Sequence, residues 1–238
     1  MALDLARIHG LCFDIDGTLS DSDDRMVARV ACRLQPFRRL LFGRAPEDVA
    51  RRFVMGIETP GNFFMGLPDR FGLDAPLNAL SEKINRVQVR SMPDAFWLVP
   101  GVREALECLH TVFRMTVVSA RDERTCLAFL NQFGLLDFFD AVVSAQTCAH
   151  TKPYPDPIRW AAAQMGLSAA ECLMVGDTVV DVRAGKAAGA QTAAVLCGFG
   201  ERPELTRAGA DLILPSTALL PTVLLPPTRG GQSIHPGR

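Results

Sequence analysis

Residues 11–24 read LCFDIDGTLSDSDD, an apolar run that ends in Asp14 and Asp16, turns at Gly17, and continues into three further aspartates. Side chains two residues apart in an extended strand point the same way, so Asp14 and Asp16 can converge just beyond the strand's end. A cluster of like charge at that place calls for a compensating group. The later stretch MVGDTVVDVRAG has the same form: an apolar run, then Asp177, then Asp181 four residues on.

Six short β-like runs organise the chain: 8–13, 114–119, 140–144, 172–176, 192–196 and 211–214. Helical patterns separate most of them, which predicts an α/β fold with a doubly wound parallel sheet and helices on both faces. Residues 21–95 hold no convincing strand, and their apolar positions recur at helical spacing. The expected organisation is therefore a core from 1–20 and 96–220, an inserted all-helical domain over 21–95, and a loosely ordered tail over 221–238 rich in proline and glycine.

Composition narrows the function classes. The 238 residues are 48% hydrophobic, enough for a substantial core, and 25 basic side chains nearly balance 26 acidic ones. No net field favours nucleic acid or an anionic membrane, and no apolar run is long enough to span a bilayer. The N-terminus lacks the pattern of a secretory signal, and seven scattered cysteines read as reduced core residues, so a cytoplasmic location is expected. His9, His110, His150 and His235 have no ligand spacing and read as structural or exposed.

In open α/β sheets ligands bind at the carboxyl edge of the strands, and both aspartate pairs should arrive there. Acidic side chains gathered at one edge repel unless a cation joins them, and an all-oxygen donor set favours Mg²⁺, which shares its shell with water and a phosphate oxygen. Ser119 at the end of another strand, with backbone N–H groups beside it, suits an anion. Lys152 lies in the proline-rich loop TKPYPDP. In strand order the chain thus supplies an acid pair, a hydroxyl, a lysine and a second acid pair.

With FDIDGTLSDS, VVSAR, HTKPYPDP and GDTVVD in hand, the chain resembles the haloacid dehalogenase superfamily, in its phosphoglycolate phosphatase-like branch, over about residues 8–214. The resemblance implies that Asp14 is a nucleophile and Asp16 a general acid/base, and that Ser119, Ala120 and Lys152 bind phosphate. Mg²⁺ would be held by Asp14, Asp177 and the backbone carbonyl of Asp16. Asp181 would support the metal, either through water or by orienting Lys152. The helical insertion would be the superfamily's α-helical cap.

Departures refine the class. Dehalogenases of the superfamily dispense with the second aspartate and the metal, whereas Asp16 is present here. Its sugar-phosphate mutases commonly carry a gating histidine where this chain has Met26. After Ser119 this chain reads Ala120 and Arg121 where asparagine is common, and Arg121 is either an extra anion contact or a surface residue. In the cap, Arg51, Arg52, Arg86 and Arg90 read as solvated faces or substrate contacts, and Phe63, Phe64 and Met65 as a substrate-facing loop or cap packing.

The expectation is a Mg²⁺-dependent phosphatase that hydrolyses a small phosphate ester through an aspartyl phosphate. Phosphoglycolate or a sugar phosphate would be the substrate, with no nucleic-acid or membrane partner, and the chain would act as a monomer or homodimer. A mutase or pyrophosphatase of the same superfamily is the enzymic alternative. A phospho-aspartate signalling or protein-binding module is the non-enzymic one.

Overall fold

β1 (Gly10–Phe13) is buried along its whole length, because it lies between two other strands and under helices on both faces. Leu11 and Phe13 face one hydrophobic cluster and Cys12 faces another, so a four-residue strand serves two cores at once. This is why its sequence is continuously apolar rather than alternating.

A computed structural model describes residues 3–21, 35 and 96–225. Five further strands join β1: β2 (Arg114–Val118), β3 (Ala141–Val143), β4 (Cys172–Gly176), β5 (Gln191–Val195) and β6 (Leu212–Leu214). All five neighbouring pairs are parallel, in the order β3-β2-β1-β4-β5-β6. The chain winds outward from β1 to β3 and then returns to the other side of β1 at β4, so the β1/β4 boundary is the point where the winding reverses.

Helix α1 (Val102–Leu109) and α2 (Glu123–Gln132) pack on the face that buries Leu11 and Phe13. On the opposite face α3 (Asp156–Gln164) and α4 (Val179–Ala188) cover Cys12, Val118 and Met174. Helix α5 (Arg202–Ala208) buries Leu205 against Val182 and Ala194. Helix α6 (Leu220–Leu224) places Leu220 and Leu224 in the first core. Ordered packing therefore continues past Pro221, where the sequence suggested a loose tail; two leucines at helical spacing bury enough apolar surface to hold that turn.

The ends of the expected insertion meet. Asp21 N donates to Trp97 O at 2.9 Å and Val99 N to Leu19 O at 2.9 Å, with Ser20 and Leu98 paired as an antiparallel bridge. The helical domain expected over 21–95 lies outside the described residues except at Asp21 and Gln35, and so do Met26, the cap arginines and Phe63, Phe64 and Met65. Among the described residues no helix is long and apolar enough to cross a membrane.

Candidate active site

The sheet delivers its polar residues to one edge. Asp14 follows β1, Ser119 follows β2 and Asp177 follows β4, and Asp14 N still donates to Val175 O at 2.9 Å, which ties the first aspartate to the neighbouring strand. Asp14, Ser119, Lys152, Asp177 and Asp181 are all buried.

Lys152 reaches this edge from the loop before α3. Its Nζ lies 2.7 Å from Asp14 Oδ1 and 2.7 Å from Asp181 Oδ1. Burial alone would lower the lysine pKa, but the two carboxylates outweigh it and hold the ammonium charged well above its ordinary range. The other oxygen of Asp181 accepts from Thr178 N at 3.0 Å and from Thr178 Oγ1 at 2.7 Å, a capping box at the start of α4. Asp181 is thus committed on both sides. This geometry favours the lysine-orienting role over the water-mediated one.

Asp14, Asp177 and Asp181 each offer a carboxylate oxygen within 4.8 Å of the others. Burial pushes the Asp14 carboxyl up to about 7; Lys152 opposes the shift, and Asp181 and Asp16 add to it. Four acidic side chains, Asp14, Asp16, Asp177 and Asp181, stand against two basic ones, Lys152 and Arg121. Acidic groups outnumber basic ones here, and buried carboxylate oxygens are the donors a hard cation takes. The donor set fits such an ion, with Asp14 and Asp177 each bringing a carboxylate to the strand ends.

Arg121 is the second cation. Its Nε donates to Asp16 Oδ2 at 2.7 Å and its Nη2 to Asp16 Oδ1, a two-point fork, while its Cζ lies 5.4 Å from the centre of the Phe96 ring. Burial would lower its pKa, but Asp16 outweighs that and raises it. The surface alternative for Arg121 is corrected: it sits within the site, drawn in by a charge 105 residues away in sequence.

The profile of the haloacid dehalogenase-like hydrolases matches residues 11–195. The chain belongs to this family. A phosphoglycolate phosphatase from Nitrosospira multiformis is 36% identical, over 88% of this chain and 92% of that protein. The pyrophosphatase PpaX of Halalkalibacterium halodurans is 28% identical, over 83% of this chain and 87% of its own length. Among solved structures, a hydrolase from Pseudomonas syringae superposes with a TM-score of 0.63 at 26% identity, covering 91% of this chain and 97% of that one.

In this haloacid dehalogenase-like hydrolase, Asp14, Lys152, Asp177 and Asp181 lie together at the sheet edge. Ser119 Oγ accepts from Arg121 N at 3.2 Å, so the loop after β2 curls back on its own hydroxyl, and Ala120 stands exposed at the tip of that curl. His9, His110 and His150 are exposed and outside the cluster. The six described cysteines are all free.

One element escaped sequence reasoning. The loop after β5, Gly198-Phe199-Gly200, wraps Asp177: Phe199 N donates to Asp177 Oδ2 at 2.8 Å. A Cβ on Gly198 would fall on the Asp177 carboxylate, and one on Gly200 on its backbone oxygen. The signal was the GFG spacing after a strand, which marks a close backbone approach without saying to what.

Proposed function

We propose that this hydrolase is a Mg²⁺-dependent phosphatase that acts on a small phosphorylated metabolite. The observation that carries the reading is the meeting of Asp14, Asp177 and Asp181 within 4.8 Å, with Lys152 bridging Asp14 and Asp181. An anionic nucleophile, an anion-binding lysine and a cation-binding acid pair are the parts that phosphoryl transfer requires, since its catalysis is mostly positioning and charge stabilisation.

Asp14 attacks phosphorus, forming a bond from its carboxylate oxygen as the bond to the leaving oxygen breaks. Asp16 gives the departing oxygen a proton. Asp16 then takes a proton from the water that attacks the aspartyl phosphate, which restores Asp14 and releases inorganic phosphate. Lys152, Ser119 and the backbone at Ala120 bind the phosphoryl oxygens, and Asp181 keeps Lys152 aimed. Asp14, Asp177 and the backbone carbonyl of Asp16 would hold Mg²⁺. When bound, the ion offsets the charge between nucleophile and phosphate.

The relatives named for phosphoglycolate and for pyrophosphate support small, anionic substrates. Residues 21–95 act as a cap in this reading, supported by the hydrogen-bonded meeting of Asp21 with Trp97 where that segment leaves and rejoins the core. A cytoplasmic site of action fits the free cysteines.

The test is phosphate release from a panel of phosphate monoesters and pyrophosphate, with Mg²⁺ and with EDTA. Asp14→Asn keeps the side-chain shape and loses the charge, so it should abolish turnover while the protein stays folded. A folded Asp14→Asn protein with near-normal phosphate release rules the mechanism out, and undiminished activity in EDTA rules out the metal.

A further inference from the structure

Arg121 binds Asp16 through Nε and Nη2, and its remaining terminal nitrogen, Nη1, is buried with no hydrogen-bond partner among the described residues. A buried guanidinium donor left unmatched is costly, so a ligand that meets it gains that difference. The guanidinium lies beside Asp16, the group assigned above to the leaving oxygen, and its plane is supported by the Phe96 ring 5.4 Å away. Lys152, by contrast, already faces two carboxylates on the Asp14 side. The two cations therefore serve different places: Lys152 the nucleophile side, Arg121 the leaving-group side.

We propose that Arg121 is a specificity-determining residue that binds a second anionic group, a carboxylate or a phosphate, carried by the leaving group of the substrate. The proposal rests on the phosphatase reading and deepens it. A phosphoryl group needs no second cation on the leaving side; a substrate whose leaving group is itself charged does. Arginine suits the task because its planar fork matches carboxylate and phosphate oxygens at two points. Engagement of the guanidinium by that anion also loosens the two-point hold on Asp16 and frees one of its oxygens to meet the bridging oxygen of the ester. An uncharged leaving group leaves the fork closed.

Steady-state kinetics with Mg²⁺ on three substrates test this: 2-phosphoglycolate, pyrophosphate and 2-hydroxyethyl phosphate, the last matching phosphoglycolate in length without its charge. The wild-type enzyme should favour at least one of the charged substrates in kcat/KM. Whichever is favoured identifies the anion as carboxylate or phosphate. In Arg121→Gln the ratio of charged to uncharged kcat/KM should fall by about ten- to a hundredfold, the range of one charge-assisted hydrogen bond, with much of the loss in KM. Arg121→Lys, which keeps the charge and loses the fork, should retain an intermediate ratio and serves as the measured variant if the glutamine protein does not fold. A wild-type enzyme without preference for charge, or variants that lose all substrates in equal proportion, overturns the assignment and leaves the phosphatase reading standing. Failure of the wild-type enzyme to release phosphate from any of the three overturns both.

Discussion

Lys152 and Asp181 form an ion pair at 2.7 Å inside the protein, and the same lysine nitrogen is 2.7 Å from Asp14 Oδ1. The capping box at the start of α4 fixes Asp181, Asp181 fixes Lys152, and Lys152 meets the first aspartate of β1's terminus. Helix entry and the placement of Lys152 thus share one carboxylate. Removing one partner of a buried pair typically costs about 3–5 kcal/mol because the other charge is left uncompensated. Asp181→Ala should therefore lower both the melting temperature and kcat, whereas Asp181→Asn, which keeps an oxygen for Thr178, should recover stability more than activity. Equal recovery of both in the asparagine variant would mean that the charge on Asp181 does not matter to Lys152.

The wrap of Gly198 over Asp177 gives a separate test of the proposed metal site. In Gly198→Ala the new methyl collides with the carboxylate, and overpacking of this kind costs about 1–3 kcal/mol. The expected results are a lower melting temperature, a smaller stabilisation by added Mg²⁺ in thermal unfolding, and a higher Mg²⁺ requirement for turnover. An unchanged Mg²⁺-dependent shift in melting temperature would show that Asp177 does not hold the ion.

Asp16 can be examined through the leaving group. An alkoxide benefits from a proton as it departs and a nitrophenolate does not; positioned general acids contribute about 10²- to 10⁴-fold. With Asp16→Asn, aspartyl-phosphate formation should slow far more for alkyl phosphates than for nitrophenyl phosphate, while breakdown of the intermediate slows for both. Rapid-mixing experiments should then show a burst of nitrophenol before slow turnover. Equal slowing of the first step for both leaving groups would assign Asp16 to geometry rather than proton transfer.

Away from the site, Asp211 ties the start of β6 to α4 and β5. Its carboxylate accepts from Lys186 Nζ, from Thr192 N at 2.9 Å and from Thr192 Oγ1 at 3.0 Å. Burial raises its pKa, but Lys186 and Thr192 outweigh that and hold the carboxyl below its ordinary range. The native state therefore binds this proton less readily than the unfolded chain. The stabilisation is fully present above the unfolded value of about 3.9 and is lost as pH falls through the lower native value. Asp211→Asn should cost about 1–3 kcal/mol in urea unfolding at pH 7, and the difference from wild type should shrink below about pH 4. A difference that stays constant down to pH 3 would assign the effect to hydrogen bonding without charge.

The six strands were legible because each is a short apolar run closed by polar or turn residues, and that pattern is local. The aspartate pairs, Ser119 and Lys152 were legible for the same reason: each stands at a strand end or in the following loop, so a parallel sheet brings them to one edge whatever the strand order. Thr178 and Asp181 even carry their capping spacing in the chain. Three things needed the folded molecule. The order β3-β2-β1-β4-β5-β6 depends on which strands pair across long loops, and a strand's own pattern does not name its neighbour. The embrace of Asp177 by Gly198 and Gly200 depends on where β5 lies relative to β4, so a GFG spacing alone could not reveal its target. Arg121 looked as much like a surface residue as an anion contact because its loop is polar; only the closure of β1 against β2 sets its guanidinium on Asp16, where the attraction of opposite charges outweighs the cost of burial.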